Sequence, residues 1–357
     1  MSIIDLPARL GLIGCGAVSR QYLPTLLASS GVRLTAVADV DPSLAEKTAA
    51  QASTEWTSDP NELLARDDVD IVLNLTPIKV HVEITRAALR AGKHVYSEKS
   101  LATSVAEADD LLAVAESAGL MVGCAPDTLL GTGFQASWRS LREETIGRPL
   151  TAVAMMFRGS LGPSVPRALQ FFDMVPYYVS ALVTLFGPAR AVTAIGSGFS
   201  TASEPDDDLG LFGMIEFASG KVADIAVMWA TDSGSGEVPV LDVYGTSGVL
   251  RFPNPNNFGD PGHVRSHRDP AEAWTEVDGS RQPTDWLGNL RGLGVVEMAY
   301  GLAAGRPPRA GGELARHVVD IIASLIESST TGVPVETQTS CSPTPPLSDE
   351  DRIRFLT

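Results

Sequence analysis

Two glycines, Gly14 and Gly16, stand directly after the apolar run Leu10-Gly-Leu-Ile13 and just before a helix-forming segment that opens at Ala17. A strand, a tight turn and a helix start in that order make a site for an anion. Gly14 lets the backbone turn sharply off the strand. Gly16, lacking a side chain, lets a diphosphate reach the amides of the helix N-terminus. Cys15, Ala17 and Val18 are the other candidate contacts in this turn, and Ser19 stands at the third small position of the G-x-G-x-x-G pattern. About 20 residues further on, Asp39 ends the next apolar run, at the interval where a carboxylate meets an adenosine ribose. Such a carboxylate accepts from both ribose hydroxyls and repels a 2′-phosphate. No Arg or Lys occurs at positions 40–45, so the pattern favours NAD over NADP.

The elements that must position these residues are legible to about residue 125. Val32 to Ala38 reads as a second strand, and Asp59-Pro60 as a helix start with Asp at the N-cap and Pro at the first helical position. Val69 to Leu75 is a buried strand followed by Thr76-Pro77, then a helix from about Lys79 to Ala91 that Gly92 closes. A strand from Lys93 to Ser97 runs into Glu98-Lys99. Ser104-Val-Ala-Glu107 is a capping box for a helix that stops at Gly119, and Leu120 to Cys124 is a further strand. Strands alternating with helices predict a doubly wound parallel sheet over residues 1–125, whose ligands sit at the carboxyl ends of the strands. Thr76, Pro77, Glu98 and Lys99 occupy such ends.

From Pro126 the character changes. A helix from about Phe134 to Glu144 precedes strands at Thr151–Phe157, Arg190–Ile195, Leu209–Phe217, Lys221–Trp229, Val238–Tyr244 and Gly248–Phe252. One helix, from about Asp173 to Leu185, is embedded among them, and two more follow at about Leu287–Ala304 and Gly312–Ser328. Pro176 is expected in the first turn of its helix, since proline is tolerated there and not further in, which makes Asp173 the N-cap. Asp173 and Tyr177, four positions apart, then share one helix face. The expected second domain, 126–339, is α+β with a large, mostly antiparallel sheet. Pro253 to Pro270 reads as a long loop, and 340–357 as a C-terminal tail, mobile from Ser340 to Asp351.

At 357 residues, with 44% hydrophobic and 20% charged residues, the chain has material for two cored domains. A net charge of −16 argues against nucleic acid and against anionic membranes. No basic n-region with an apolar core opens the chain, and no apolar run is expected to reach the roughly 18 to 20 residues that span a bilayer. Three cysteines, Cys15, Cys124 and Cys341, without metal-ligand spacing point to a reducing cytoplasm.

Taken together, Gly14-Cys-Gly16, Asp39, Asn74-Leu-Thr-Pro77 with His81, Glu98-Lys99 and Phe172-Asp-Met-Val-Pro-Tyr177 resemble the glucose–fructose oxidoreductase / inositol dehydrogenase / MocA (Gfo/Idh/MocA) family, from residue 9 to about 335. The resemblance implies an N-terminal Rossmann domain, a C-terminal open-faced sheet domain, and NAD(P)-linked oxidation or reduction at a carbinol carbon of a sugar, a cyclitol or a derivative. It implies that Thr76-Pro77 lines the cofactor near the nicotinamide ribose with His81 close by, that Glu98 contacts the nicotinamide side, and that Lys99 touches the reacting hydroxyl. Lys99, held by Asp173, would polarise that hydroxyl, and Tyr177 would accept or relay its proton, a task assisted by a neighbouring ammonium. An open sheet face implies a homodimer or homotetramer.

The chain departs from this family pattern in three places. Ser100 replaces the usual Pro after the Glu-Lys pair, which predicts either a trans bond with a shifted Lys99 or a strained backbone. Tyr177 stands where many relatives have His, and Val175 where a Gly is common. These departures keep two rivals open: a cofactor-binding sensor without turnover, and a lyase or glycosidase that oxidises transiently and re-reduces. Weaker substrate candidates are Arg158, Tyr178 and Trp286, with Arg167, Asn289 and Arg291 near them in the chain. His263 and His267 read as solvated, and no metal site is expected.

Overall fold

The computed structural model describes residues 3–159, 167–197, 209–230, 238–267, 273–279 and 290–356. Two compact units emerge, Met1–Leu130 with Asp285–Arg316 and Leu347–Thr357, and Gly131–Thr284 with His317–Pro346.

In the first unit the chain runs β1 (Ala8–Ile13), α1 (Ser19–Ala28), β2 (Val32–Ala38), α2 (Pro42–Ala52), β3 (Glu55–Thr57), α3 (Pro60–Leu64), β4 (Ile71–Asn74), α4 (Ile78–Arg90), β5 (His94–Ser97), α5 (Val105–Ser117) and β6 (Val122–Cys124). The strands form one sheet in the order β3-β2-β1-β4-β5-β6, every neighbouring pair parallel. Strand order reverses between β1 and β4, so the ends of β1, β2, β4 and β5 border a topological switch point. Local chemistry places the helices. Asp41, Asp59 and Ser104 each accept a backbone N–H two or three residues on, and Gly92 and Gly119 end their helices at φ +77° and +65°. β4 and β5 are buried along their whole length, as strands of a doubly covered parallel sheet must be. The core between sheet and helices includes Ile13, Val72, Leu89, Val95, Leu111 and Val122.

The second unit holds α6 (Thr132–Arg142), β7 (Pro149–Gly159), α7 (Arg167–Phe186), β8 (Ala189–Ser197), β9 (Leu209–Phe217), β10 (Val222–Ala230), β11 (Val238–Gly245), β12 (Gly248–Arg251), β13 (His263–Ser266) and β14 (Thr275–Glu276). Beyond it follow α8 (Leu293–Ala303) of the first unit, α9 (Gly312–Thr331), which runs through the boundary at residue 316, β15 (Val335–Glu336) of the second unit and α10 (Asp349–Leu356) of the first. Nine strands form a sheet in the order β14-β13-β12-β11-β7-β10-β9-β8-β15, antiparallel throughout except for the β7–β10 pair. Alternation is clean on β10: Ala223, Ile225, Val227 and Trp229 are buried, and Trp229 packs edge-on against Phe171 of α7 at 5.1 Å. The other face leaves Ile195 71%, Phe212 42% and Met214 47% exposed.

Four expectations need correction. α7 begins by Arg167, so Pro176 lies inside it and Asp173 is not its cap. An interior proline costs about 3 kcal/mol. Burying Phe171, Phe172, Met174, Val175, Tyr177, Tyr178 and Val179 on either side of it returns about 1.5–3 kcal/mol for each large apolar side chain. α7 also contains an apolar stretch, Leu169–Phe186, long enough to cross a membrane; 83% of it is buried, which is the state of a core helix. β13 interrupts the expected 253–270 loop by pairing with β12 and β14. The C-terminal segment is tied down: Phe355 is buried against Tyr300, ring centroids 5.4 Å apart, and Arg309 bridges the buried Glu297 and Asp351 at 2.8 Å each. A short helix whose one large aromatic is buried and whose acid meets an otherwise enclosed arginine has no reason to be mobile.

Candidate cofactor and active site

The glycine turn is built for close backbone approach. Gly14 adopts φ +102°, and a Cβ there would stand 2.6–2.8 Å from the backbone of Leu75 and Thr76, at the end of β4. Only glycine fits on both counts. At Gly16 the opposite holds: a Cβ would meet nothing within 4 Å. Ala17 and Val18 are exposed beside it. α1 has neither a side-chain cap nor an acidic residue in its first turn, so no side chain there competes with an anion, while the Gln21 N–H turns back to the Val18 carbonyl. Ser19 is buried and donates to the Gly16 carbonyl at 2.8 Å, which stiffens the turn.

Asp39, half-buried at the end of β2, is held from two sides. Its Oδ2 accepts the Cys15 N–H at 2.7 Å and its Oδ1 the Asp41 N–H at 2.9 Å. The carboxylate is therefore fixed beside the glycine turn and retains lone pairs for ribose hydroxyls. The Cys15 side chain points away: it is buried, donates to the Ala38 carbonyl, and burial pushes its thiol up to about 11. Cys15 thus serves through its backbone.

At the end of β4 the organising residue is Asn74, wholly buried. Its Oδ1 accepts from the Thr76 hydroxyl at 2.6 Å and the Thr76 N–H at 3.2 Å; its Nδ2 donates to the His81 carbonyl and the Thr85 hydroxyl. Pro77 caps α4. His81 lies between two backbone carbonyls, with Nε2 2.6 Å from Thr76 O and Nδ1 2.8 Å from Ser100 O. With both nitrogens so placed and the ring 2% exposed, His81 braces the ends of β4 and β5 through their backbone.

Glu98 is buried, and its N–H donates to the Asn74 carbonyl, locking the two strand ends together. Oε2 accepts the Lys99 N–H at 3.0 Å and Oε1 the Tyr22 hydroxyl at 2.6 Å. The Lys99–Ser100 bond is cis, so the trans alternative is not the one adopted. Nearby, Asp127 is entirely buried and its Oδ2 accepts from the Gly292 and Gly294 amides, which start α8. Desolvation lifts its carboxyl to about 6. Sequence reasoning passed over Tyr22 and Asp127. The buried position of Tyr22 on α1, one turn past the glycine motif, was the available signal for one; nothing local marked the other.

Asp173, half-buried, and Tyr177, buried, are four residues apart on α7 in the second unit, whereas Lys99 belongs to the first. Tyr178 is 1% exposed within the helix packing. Arg158 lies on β7 and Arg167 opens α7, but their side chains, like Trp286 and Asn289 altogether, fall outside the described residues. His263 sits on β13 rather than in a loop. Among the described residues no cluster of His, Cys, Asp and Glu is arranged to hold a metal. The open space at Gly16, the uncapped α1 and the braced Asp39 fit a dinucleotide.

Comparison with known proteins agrees with this geometry. Residues 8–125 match the oxidoreductase family model with an NAD-binding Rossmann fold, and 134–251 match the GFO/IDH/MocA C-terminal domain. The chain is 39% identical over 117 residues to dTDP-3,4-didehydro-2,6-dideoxy-alpha-D-glucose 3-reductase of Actinomadura kijaniata, covering 32% of this chain and 35% of that enzyme. The match thus spans about a third of that relative's length. It is 27% identical over 261 residues to 1,5-anhydro-D-fructose reductase of Ensifer adhaerens, covering 68% and 74%. The fold is that of levoglucosan dehydrogenase, solved with NADH and levoglucosan, at TM-score 0.77 and 21% identity over 93% of this chain and 100% of that one. With both halves matched by the family's own models, and the sheet order and glycine turn as described, the chain belongs to the Gfo/Idh/MocA family of oxidoreductases.

Proposed function

We propose that this protein is an NAD-dependent oxidoreductase that moves hydride between nicotinamide and a carbinol carbon of a sugar-like or cyclitol-like substrate. The observation that carries the reading is the Asp39 carboxylate, fixed by the Cys15 amide beside an open, uncapped helix start. The amides of the turn at Gly16, Ala17 and Val18 would hold a diphosphate, and Asp39 would accept from the adenosine ribose and disfavour a 2′-phosphate. Thr76, Pro77 and Glu98 border the nicotinamide end, with His81 setting the backbone of Thr76. NAD, when bound, supplies the hydride acceptor. The sugar and anhydrosugar substrates named in the relatives support the substrate class.

In this reading Lys99 polarises the substrate hydroxyl, Asp173 holds the ammonium, and Tyr177 receives or relays the proton. The four-residue spacing of Asp173 and Tyr177 supports the last two assignments. Arg158, Tyr178 and Trp286 are kept as substrate-side candidates. The exposed Ile195, Phe212 and Met214 support a homodimer or homotetramer formed through the large sheet. Cys15, Cys124 and Cys341 are all thiols, which fits the cytoplasm.

Titration with NAD and NADP, followed by a polyol and sugar screen read at the NADH absorbance, tests the reading. NAD binding with NADH formed from at least one polyol supports it. Preference for NADP, or tight NAD binding with no turnover over the whole panel, overturns it.

A further inference from the structure

Glu98 and Lys99 leave β5 as a pair, and one of their supports comes from the opposite end of the nucleotide crevice. α1 begins next to the glycine turn, and one turn later it carries Tyr22, whose side chain is 0% exposed. The Tyr22 hydroxyl donates to Glu98 Oε1 at 2.6 Å while Glu98 Oε2 takes the Lys99 N–H at 3.0 Å. Each carboxylate oxygen therefore has its own donor, and the Glu98 N–H is anchored on Asn74. Rotation of Glu98 away from this position would break two hydrogen bonds to a carboxylate inside the protein, where such bonds are strong.

The neighbouring phenol makes the contrast. Tyr96 on β5 is equally buried, yet its hydroxyl has no hydrogen-bond partner among the described residues. Two tyrosines of the same burial thus differ in whether their hydroxyl is engaged. Burial, with Glu98 and Asp127 close by, pushes the Tyr22 phenol well up, so it remains a donor at any working pH.

We propose that Tyr22 is a positioning residue for the Glu98–Lys99 pair: it fixes the Glu98 carboxylate and, through the Lys99 N–H, the backbone from which the Lys99 side chain departs. One helix then sets both ends of the crevice, its first amides facing the diphosphate and Tyr22 setting the nicotinamide end. The proposal rests on the reading of Glu98 and Lys99 given under the proposed function. It assigns Tyr22 no contact with cofactor or substrate.

The test removes one oxygen at a time from the full-length protein. Tyr22→Phe keeps the ring and its packing, and Tyr96→Phe is the matched deletion next door. Amide hydrogen exchange of the Lys99 segment, read without cofactor, should quicken about tenfold in Tyr22→Phe, and NADH affinity should fall about tenfold, as loss of one hydrogen bond to a charged group predicts. Tyr96→Phe should change neither. Combining Tyr22→Phe with Glu98→Gln should weaken NADH no further than Glu98→Gln alone, because Tyr22 acts through Glu98. Wild-type exchange and affinity in Tyr22→Phe, or equal losses in both tyrosine variants, would overturn the proposal. If Tyr22→Phe does not fold, Glu98→Ala decides by the same exchange measurement: faster exchange at Lys99 supports the carboxylate clamp, unchanged exchange removes it. Should the wild-type protein bind no NADH, the functional reading fails, and exchange at Lys99 still decides whether Tyr22 positions the pair.

Discussion

The Cys15 amide donates a 2.7 Å hydrogen bond to Asp39 Oδ2, joining the turn after β1 to the acid that ends β2. The two halves of the nucleotide-binding motif are one hydrogen-bonded unit. A substitution at Asp39 should therefore act on ribose recognition and on the shape of the glycine turn together.

Asp39→Ala is expected to weaken NAD binding by about 10- to 100-fold, the range for losing hydrogen bonds to a charged group. NADP binding should fall less or rise, because the charge that opposes a 2′-phosphate is gone. Parallel titrations with the two cofactors check the ratio; an unchanged NAD-to-NADP preference would contradict the role of Asp39.

Gly14 and Gly16 should separate fold from function. Gly14→Ala forces a Cβ into the backbone of Leu75 and Thr76 at a positive φ, so thermal stability should drop by about 1–3 kcal/mol or more. Gly16→Ala has open space, so its melting temperature should stay near wild type while NAD affinity falls. Melting curves and cofactor titration on both variants distinguish the two positions.

Tyr177→Phe keeps the buried ring in place. If Tyr177 relays the substrate proton, kcat should fall at least about tenfold and the pH profile should change, with NADH affinity preserved. Full turnover with an unaltered profile would remove Tyr177 from the proton path.

Asp127 gives a pH signature. Its folded-state carboxyl is raised, chiefly by desolvation, from 3.8 to about 6. The native protein therefore holds this proton more tightly than the unfolded chain. The associated stability is fully present below about pH 4 and is lost as pH rises through 6, a difference on the order of 3 kcal/mol. Asn at this position keeps an oxygen for the Gly292 and Gly294 amides and carries no charge. Relative to wild type, Asp127→Asn should gain stability from pH 4 to pH 7; urea unfolding at several pH values measures the gap.

Phe212 and Met214 stand on the exposed face of the large sheet. A double change to Glu should shift the protein to a smaller species in light scattering while leaving melting near wild type. An unchanged mass would argue that this face is not the assembly surface.

Much of the first unit was legible because its signals are local. The β1–turn–α1 order, Asp39 at its interval, the Asp59-Pro60 start and the Ser104 cap depend on residues a few positions apart, where turn chemistry and side-chain periodicity act. The strands of the second unit were legible for the same reason, since alternation survives wherever one sheet face is buried. β13 was missed because its four half-buried residues carry no alternation, and pairing with β12 and β14 alone makes it a strand.

The sequence by itself determined the two architectures and the dinucleotide turn, because glycine geometry, caps and hydrophobic period are properties of neighbours in the chain. Tertiary structure decided the partners. Tyr22 meets Glu98 across 76 positions, and Asp127 caps α8 across 165. His81 spans two strand ends, and α7 carries Pro176 through its interior because its neighbouring turns are buried. No local pattern encodes these outcomes, since each depends on which distant backbone amide, carbonyl or ring the packed core brings within reach of a buried polar group that must be satisfied.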